Sequence, residues 1–139
     1  MFWSRRKKLA VALVCADWRL HHKRVNLNKR LSRLLGVHGV DKIAVPGPDG
    51  LALPARAAEW QTAVSQISLL IGAHKPAALV VAAHQRCAGH PVDDGQHRVD
   101  VMTVAKALKD ATNFPGPVTA VVIVYHSDAR WSLGKIGEA

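Results

Sequence analysis

Two short stretches of this 139-residue chain carry the side chains best suited to chemistry. In the first, His84-Gln85-Arg86-Cys87 sets an imidazole and a thiol at His-x-x-Cys spacing, directly after the apolar run at residues 77–83. In the second, far upstream, the apolar run at residues 9–14 ends in Cys15, and Ala16-Asp17-Trp18-Arg19 follows. Thiolate and imidazole are ligands for zinc rather than for magnesium, calcium or manganese. Cys15, His84 and Cys87 would supply two thiolates and a neutral imidazole, which together neutralise a Zn2+ ion. The chain has two cysteines, so a four-thiolate structural site is impossible within one subunit. The fourth position falls to water, a carboxylate or another histidine. Asp17 is placed to be that carboxylate or to accept a hydrogen bond from the water, and Arg19 can hold Asp17 through a bidentate fork. Each half of this pattern has a plainer reading. A lone cysteine at a strand end is usually a small buried hydrophobe, and a Cys15/Cys87 redox pair lacks Cys-x-x-Cys spacing.

The elements that would position these residues alternate. Residues 9–14, 42–45, 77–83 and 118–125 are predicted strands. Three of them are apolar without a polar interruption, as expected of strands covered on both faces of a parallel sheet. Helical spacing predicts helices over 20–36, 54–73 and 99–111, the first with Asn26 or Asn28 to cap its start and Gly36 its end. Residues 46–50, 89–96 and 114–117 are Gly- and Pro-rich breaks. The predicted fold class is α/β: a small parallel sheet, order about 2-1-3-4, flanked by helices. The predicted organisation is one domain over 1–139, with a basic arm at 1–8 and a polar tail at 127–139 that forms a short helix or an arm. Ligands of such sheets bind at the C-terminal strand ends, where strand order reverses. In this order that point lies between strands one and three, whose ends carry Cys15 and His84-x-x-Cys87.

Half the residues are apolar, which excludes a disordered chain. The formal charge is +9, concentrated in residues 5–8 and 21–33. This favours a solvated, anion-attracting face over a polynucleotide or membrane site, because no recognition motif or run of stacking aromatics accompanies it. Two distant cysteines make no secreted disulfide framework, and no run approaches the ~20 apolar residues that span a bilayer. A cytoplasmic, reducing location is expected.

The constellation resembles the β-class carbonic anhydrases. Their Cys-x-Asp-x-Arg motif after a strand is met by Cys15-Ala16-Asp17-Trp18-Arg19, and their His-x-x-Cys motif by His84-Gln85-Arg86-Cys87. The resemblance implies a zinc lyase that hydrates carbon dioxide reversibly to bicarbonate through a hydroxide formed on the ion. Cys15, His84 and Cys87 would be the zinc ligands, one ion per chain. Asp17 and Arg19 would be the catalytic dyad that opens the fourth position. It also implies a homodimer or higher homo-oligomer. The chain departs from the family pattern at Trp18, commonly Ser, at Ala88 after Cys87, commonly Gly, and at Pro46-Gly47-Pro48-Asp49-Gly50, where the family has Arg-Asn-Ala-Gly. Two alternatives are a related zinc hydrolase of carbonyl sulfide or carbon disulfide, and a zinc-binding module without turnover. His21, His22, His90 and His126 are candidates for carrying the released proton.

Overall fold

In the computed structural model, which describes residues 7–139, the chain forms one five-stranded sheet. The strands are β1 (Leu9–Cys15), β2 (Gly39–Val45), β3 (Ala78–His84), β4 (Val118–Ser127) and β5 (Arg130–Glu138). The helices are α1 (Leu27–Leu35), α2 (Ala57–His74) and α3 (Asp94–Thr112). Strand order is β2-β1-β3-β4-β5; the first four are parallel and β5 runs antiparallel to β4. The predicted 2-1-3-4 order is therefore present but one strand short. The basic arm expected at 1–8 lies mostly outside the described residues.

β1 and β3 are buried nearly throughout, in keeping with their unbroken apolarity. Alternate residues feed two layers. Val11, Leu13, Leu79, Val81 and Val122 pack against Ala63 and Ile67 of α2 and Val101, Val104, Ala105 and Leu108 of α3. Ala12, Val14, Val80, Ala82 and Val121 pack against Leu27 and Leu31 of α1. The start of α1 is set by Asn26, whose side chain accepts the Lys29 N–H, and its end by Gly36 at φ 65°. No described helix is long and apolar enough to cross a membrane.

Several boundaries differ from the sequence expectation: the first helix begins at Leu27 rather than Leu20, behind a separate 3-10 turn at Trp18–His21, and β2 begins at Gly39 rather than Lys42. The tail at 127–139 is neither helix nor arm: most of it is β5, whose Trp131 is 1% exposed. Helix α3 begins at Asp94 rather than near Val99. Asp93 caps it by accepting the Gln96 N–H at 2.8 Å, and the inward residue of its first turn is a histidine, His97, not an apolar side chain.

Candidate metal centre

The centre is built at the ends of β1 and β3. Parallel pairing sets Leu13 beside Val81. Two residues further along, that register brings Cys15 beside Ala83, one position before His84. Both side chains are buried by the sheet and its layers. A tight turn then returns Cys87 toward Cys15. It requires Arg86 at φ 57°, a left-handed backbone uncommon for any residue but glycine or asparagine. Gln85 pins the turn: its amide donates to Asp94 Oδ1 at 2.9 Å and its oxygen accepts the Tyr125 N–H at 3.0 Å.

The ligand atoms of Cys15, His84 and Cys87 all lie within 4.8 Å of one another. The two sulfurs are 3.8 Å apart. Bonds of ~2.3 Å at tetrahedral angles would set two thiolates ~3.8 Å apart, so the spacing suits zinc. His84 supplies the clearest sign. Its Nδ1 lies 2.6 Å from the Gln85 carbonyl oxygen, which can only accept, so Nδ1 carries the proton. Nε2 is left with its lone pair, buried and without a hydrogen-bond partner among the described residues. That is the tautomer a metal-binding histidine needs.

The two thiols lie within hydrogen-bonding distance of each other. Cys15 is pulled down to about 4, first by the Cys87 thiol donating to it; burial opposes this, and His84 and the backbone near Gly47 and Asp17 assist. Cys87 is pushed far up by that same bond, then by burial and the Cys15 charge. For His84, burial pushes the imidazole down, but the neighbouring Cys15 sulfur outweighs it and the net shift is upward. Metal binding at such a group would require both thiols deprotonated and the imidazole neutral.

Asp17 and Arg19 stand beside these three side chains. Asp17 caps the 3-10 turn Trp18–His21 by accepting the Arg19 backbone N–H at 3.0 Å. The Arg19 guanidinium donates from Nη2 to Oδ2 at 2.7 Å and from Nε to both oxygens at 3.1 and 3.2 Å. Those bonds hold the Asp17 carboxyl below the usual carboxylate range, against a smaller upward push from burial. Asp17 Oδ2 is 4.0 Å from His84 Nε2. Arg19 is itself placed by the Arg86 carbonyl oxygen at 3.3 Å, by Asp128 at 3.5 Å and by the rings of Trp131 and Tyr125. A cavity of about 620 Å³ opens over Cys15, Asp17 and Arg19, walled by Pro46 and Gly89, with the largely exposed Trp18 at its edge.

All five residues singled out from sequence therefore meet at one place. The candidate proton carriers are scattered, and only the His21 side chain touches one of the five. His21 Nε2 donates to the Cys15 carbonyl oxygen at 2.8 Å, and its Nδ1 receives Lys42 Nζ at 3.2 Å. His22 and His126 are exposed, and His90 is buried against Asp100. Sequence reasoning missed Trp131, which packs edge-on to His84 at 5.7 Å from the strand read as a tail. It also missed the close approach of Gly47 to Gly89. Gly47 has φ 52°, and a Cβ there would fall 2.5 Å from the Gly89 carbonyl carbon. The glycines themselves were the available signal, but nothing in sequence pairs them.

With this geometry in view, the comparisons are decisive on kinship. A protein family described as "Putative carbonic anhydrase" matches residues 5–137. The chain belongs to this family. No curated protein sequence matches it. Among solved structures, its fold is similar to that of carbonic anhydrase from Streptococcus mutans, with a TM-score of 0.60 over 95% of this chain and 82% of that one. Identity between the two is 12%, so that likeness concerns the fold alone.

Proposed function

We propose that the chain is a zinc-dependent carbonic anhydrase that hydrates carbon dioxide reversibly to bicarbonate, a lyase reaction. The observation that carries this reading is the buried, unpartnered Nε2 of His84 facing two thiols 3.8 Å apart, with a carboxylate–guanidinium pair alongside. Cys15, His84 and Cys87 would hold the ion. When bound, zinc supplies a Lewis acid that makes water a nucleophile near neutral pH. The chain's own residues do the rest. The Gln85 carbonyl keeps the His84 proton on Nδ1. Backbone groups around Gly47 and Gly89 stabilise the thiolates. Asp17 Oδ2 accepts a hydrogen from the attacking water and so orients it, and Arg19 keeps that carboxylate turned away from the ligand set. The cavity beside Trp18 admits a small linear substrate. A cytoplasmic location, where reducing conditions keep the Cys15 and Cys87 thiols available to a metal, goes with this reading.

The test is metal analysis of purified wild type, Cys87→Ser and His84→Ala, with stopped-flow carbon dioxide hydration on each. Wild type should hold zinc and hydrate carbon dioxide, and both variants should lose zinc from this centre and all activity. A zinc-loaded wild type that leaves carbon dioxide untouched, or that releases sulfide from carbonyl sulfide instead, overturns the assignment.

A further inference from the structure

A second group of ligand-type side chains lies where the 48–50 turn meets α3 and the loop after Cys87. Asp49, His90 and His97 are buried, at 2%, 6% and 1% exposure, and Asp100 borders them. His90 Nε2 is 2.7 Å from Asp100 Oδ2 and 4.0 Å from Asp49 Oδ2. The ligand atoms of Asp49, His90 and Asp100 all lie within 4.8 Å of one another. Two hydrogen-bonded His–Asp pairs, His90–Asp100 and His97–Asp49, account for part of this arrangement. They leave Asp49 Oδ1 buried with no hydrogen-bond partner among the described residues. A carboxylate oxygen withdrawn from water and left unpaired is costly, so something else should meet it.

We propose that Asp49, His90 and Asp100 form a second metal site, for a divalent d-block cation such as zinc or cobalt, completed by water. One imidazole and two carboxylates suit such an ion and balance its charge. An ion would replace the direct His90–Asp100 hydrogen bond: bonds of ~2.1 Å at tetrahedral angles set donor atoms ~3.4 Å apart, and His90 Nε2 now lies 2.7 Å from Asp100 Oδ2 and 4.0 Å from Asp49 Oδ2. The outer partners of a metal site are also present. His97 Nδ1 donates to Asp49 Oδ2 at 2.6 Å, and Gln96 Nε2 donates to Asp100 Oδ1 at 2.7 Å. Each carboxylate is thereby oriented from behind, as ligating carboxylates are. Gly50 makes room for the imidazole, since a Cβ there would sit 2.7 Å from His90 Nδ1. A cavity of about 140 Å³ bordered by Asp49, Asp100 and Thr103 gives the ion a path and space for its waters. The site would tie the 46–50 and 88–90 loops to α3, and those loops carry Gly47 and Gly89 against the first centre.

The experiment titrates the full metal-free chain with cobalt(II) chloride, following binding by calorimetry and thiolate-to-cobalt charge transfer in the near ultraviolet. Wild type should bind two equivalents, only one of which raises the charge-transfer band. Asp100→Ala, at a side chain open enough to tolerate the change, should bind one and keep the band. Asp49→Asn should weaken the same equivalent at least tenfold. Cys87→Ser should disturb the band and leave the second equivalent intact, so failure of the thiolate centre and failure of this site are told apart. A single equivalent in wild type that carries the charge-transfer band overturns the proposal. So does a second equivalent that survives both Asp100→Ala and Asp49→Asn, which marks adventitious surface binding.

Discussion

On the proposed function, replacing Arg19 should separate metal holding from turnover. Arg19 contributes no ligand, yet three side-chain N–H···O contacts of 2.7 to 3.2 Å fix the carboxylate of Asp17. Charge-assisted hydrogen bonds contribute about 1.5–3 kcal/mol each when well shielded. Here both side chains keep some exposure, 20% and 16%, so solvent screens the pair. A net hold of roughly 2–3 kcal/mol on one carboxylate orientation is reasonable, and at ~1.4 kcal/mol per decade that is about 30- to 150-fold in its population. Arg19→Met, which keeps the contact with Trp131, should therefore lower kcat/KM for carbon dioxide hydration about 100-fold. Zinc affinity should move the other way or not at all. Asp17 Oδ2 already lies 4.0 Å from His84 Nε2, and oxygen and nitrogen ligands of a tetrahedral zinc sit ~3.4 Å apart. A released carboxylate needs a shift of under about 1 Å to join the three ligands and close the site. Stopped-flow hydration and zinc competition against a chromophoric chelator measure the two quantities on one sample. Activity within threefold of wild type, or zinc bound more than tenfold more weakly with the fold intact, would refute the reasoning.

Three further outcomes follow from the same geometry. Trp131→Ala should lower the urea unfolding free energy by about 3–5 kcal/mol, because the side chain is buried between Tyr125, His84 and Arg19, whereas Trp131→Phe should cost far less. Gly47→Ala should weaken zinc binding by tenfold or more in the same chelator assay, since it combines a positive φ with a 2.5 Å clash at Gly89 beside the Cys15 thiol; binding equal to wild type would remove the loop from the account. The Gln85 amide, followed by smaller effects of Arg98, holds the Asp94 carboxyl below its usual range. A depressed carboxyl adds stability above its unfolded pKa and loses it as pH falls through the lower folded value. Gln85→Ala should thus be less stable than wild type at pH 7, and the gap measured in urea should narrow as the sample is acidified below the unfolded pKa of ~3.9.

The parts of the fold legible in sequence are those where one physical signal acts alone. Strands β1 and β3 need apolar side chains on both faces, so they read as unbroken runs, and the first polar or reactive residue after each run falls at the sheet's end. That is why Cys15 and His84 could be placed together before any coordinates. Strand β5 hid because it is an edge strand that serves both layers. Trp131 and Leu133 pack with the α1 side and Ile136 with the α2/α3 side, which spreads three apolar residues over both parities and erases the period of two. The first turn of α3 hid because its inward position is a histidine paired with a buried aspartate. Asp17 and Arg19 were legible as a pair because a carboxylate two residues before an arginine can cap a turn and meet the guanidinium within that same turn. The contact between Gly47 and Gly89 was not, since two loops distant in sequence reveal their approach only once the sheet has brought their strands together.

The proposed ligands and the carboxylate beside them divide by what holds them. Cys15 and His84 are terminal residues of core strands, and any displacement of either must move side chains packed in both layers. Cys87 and Asp17 sit on turns: one depends on Arg86 in a left-handed backbone, the other on a four-residue 3-10 turn and a guanidinium. A centre built this way keeps two donors at fixed separation while the third donor and the neighbouring carboxylate can adjust by a fraction of an ångström at small cost. On the proposed function, metal grip and access to the fourth position would then rest on different residues. The substitutions that loosen the first belong to the sheet, the His84–Cys87 turn and its Gly47 neighbour, and those that change the second belong to Arg19 and the rings of Tyr125 and Trp131 against which it lies.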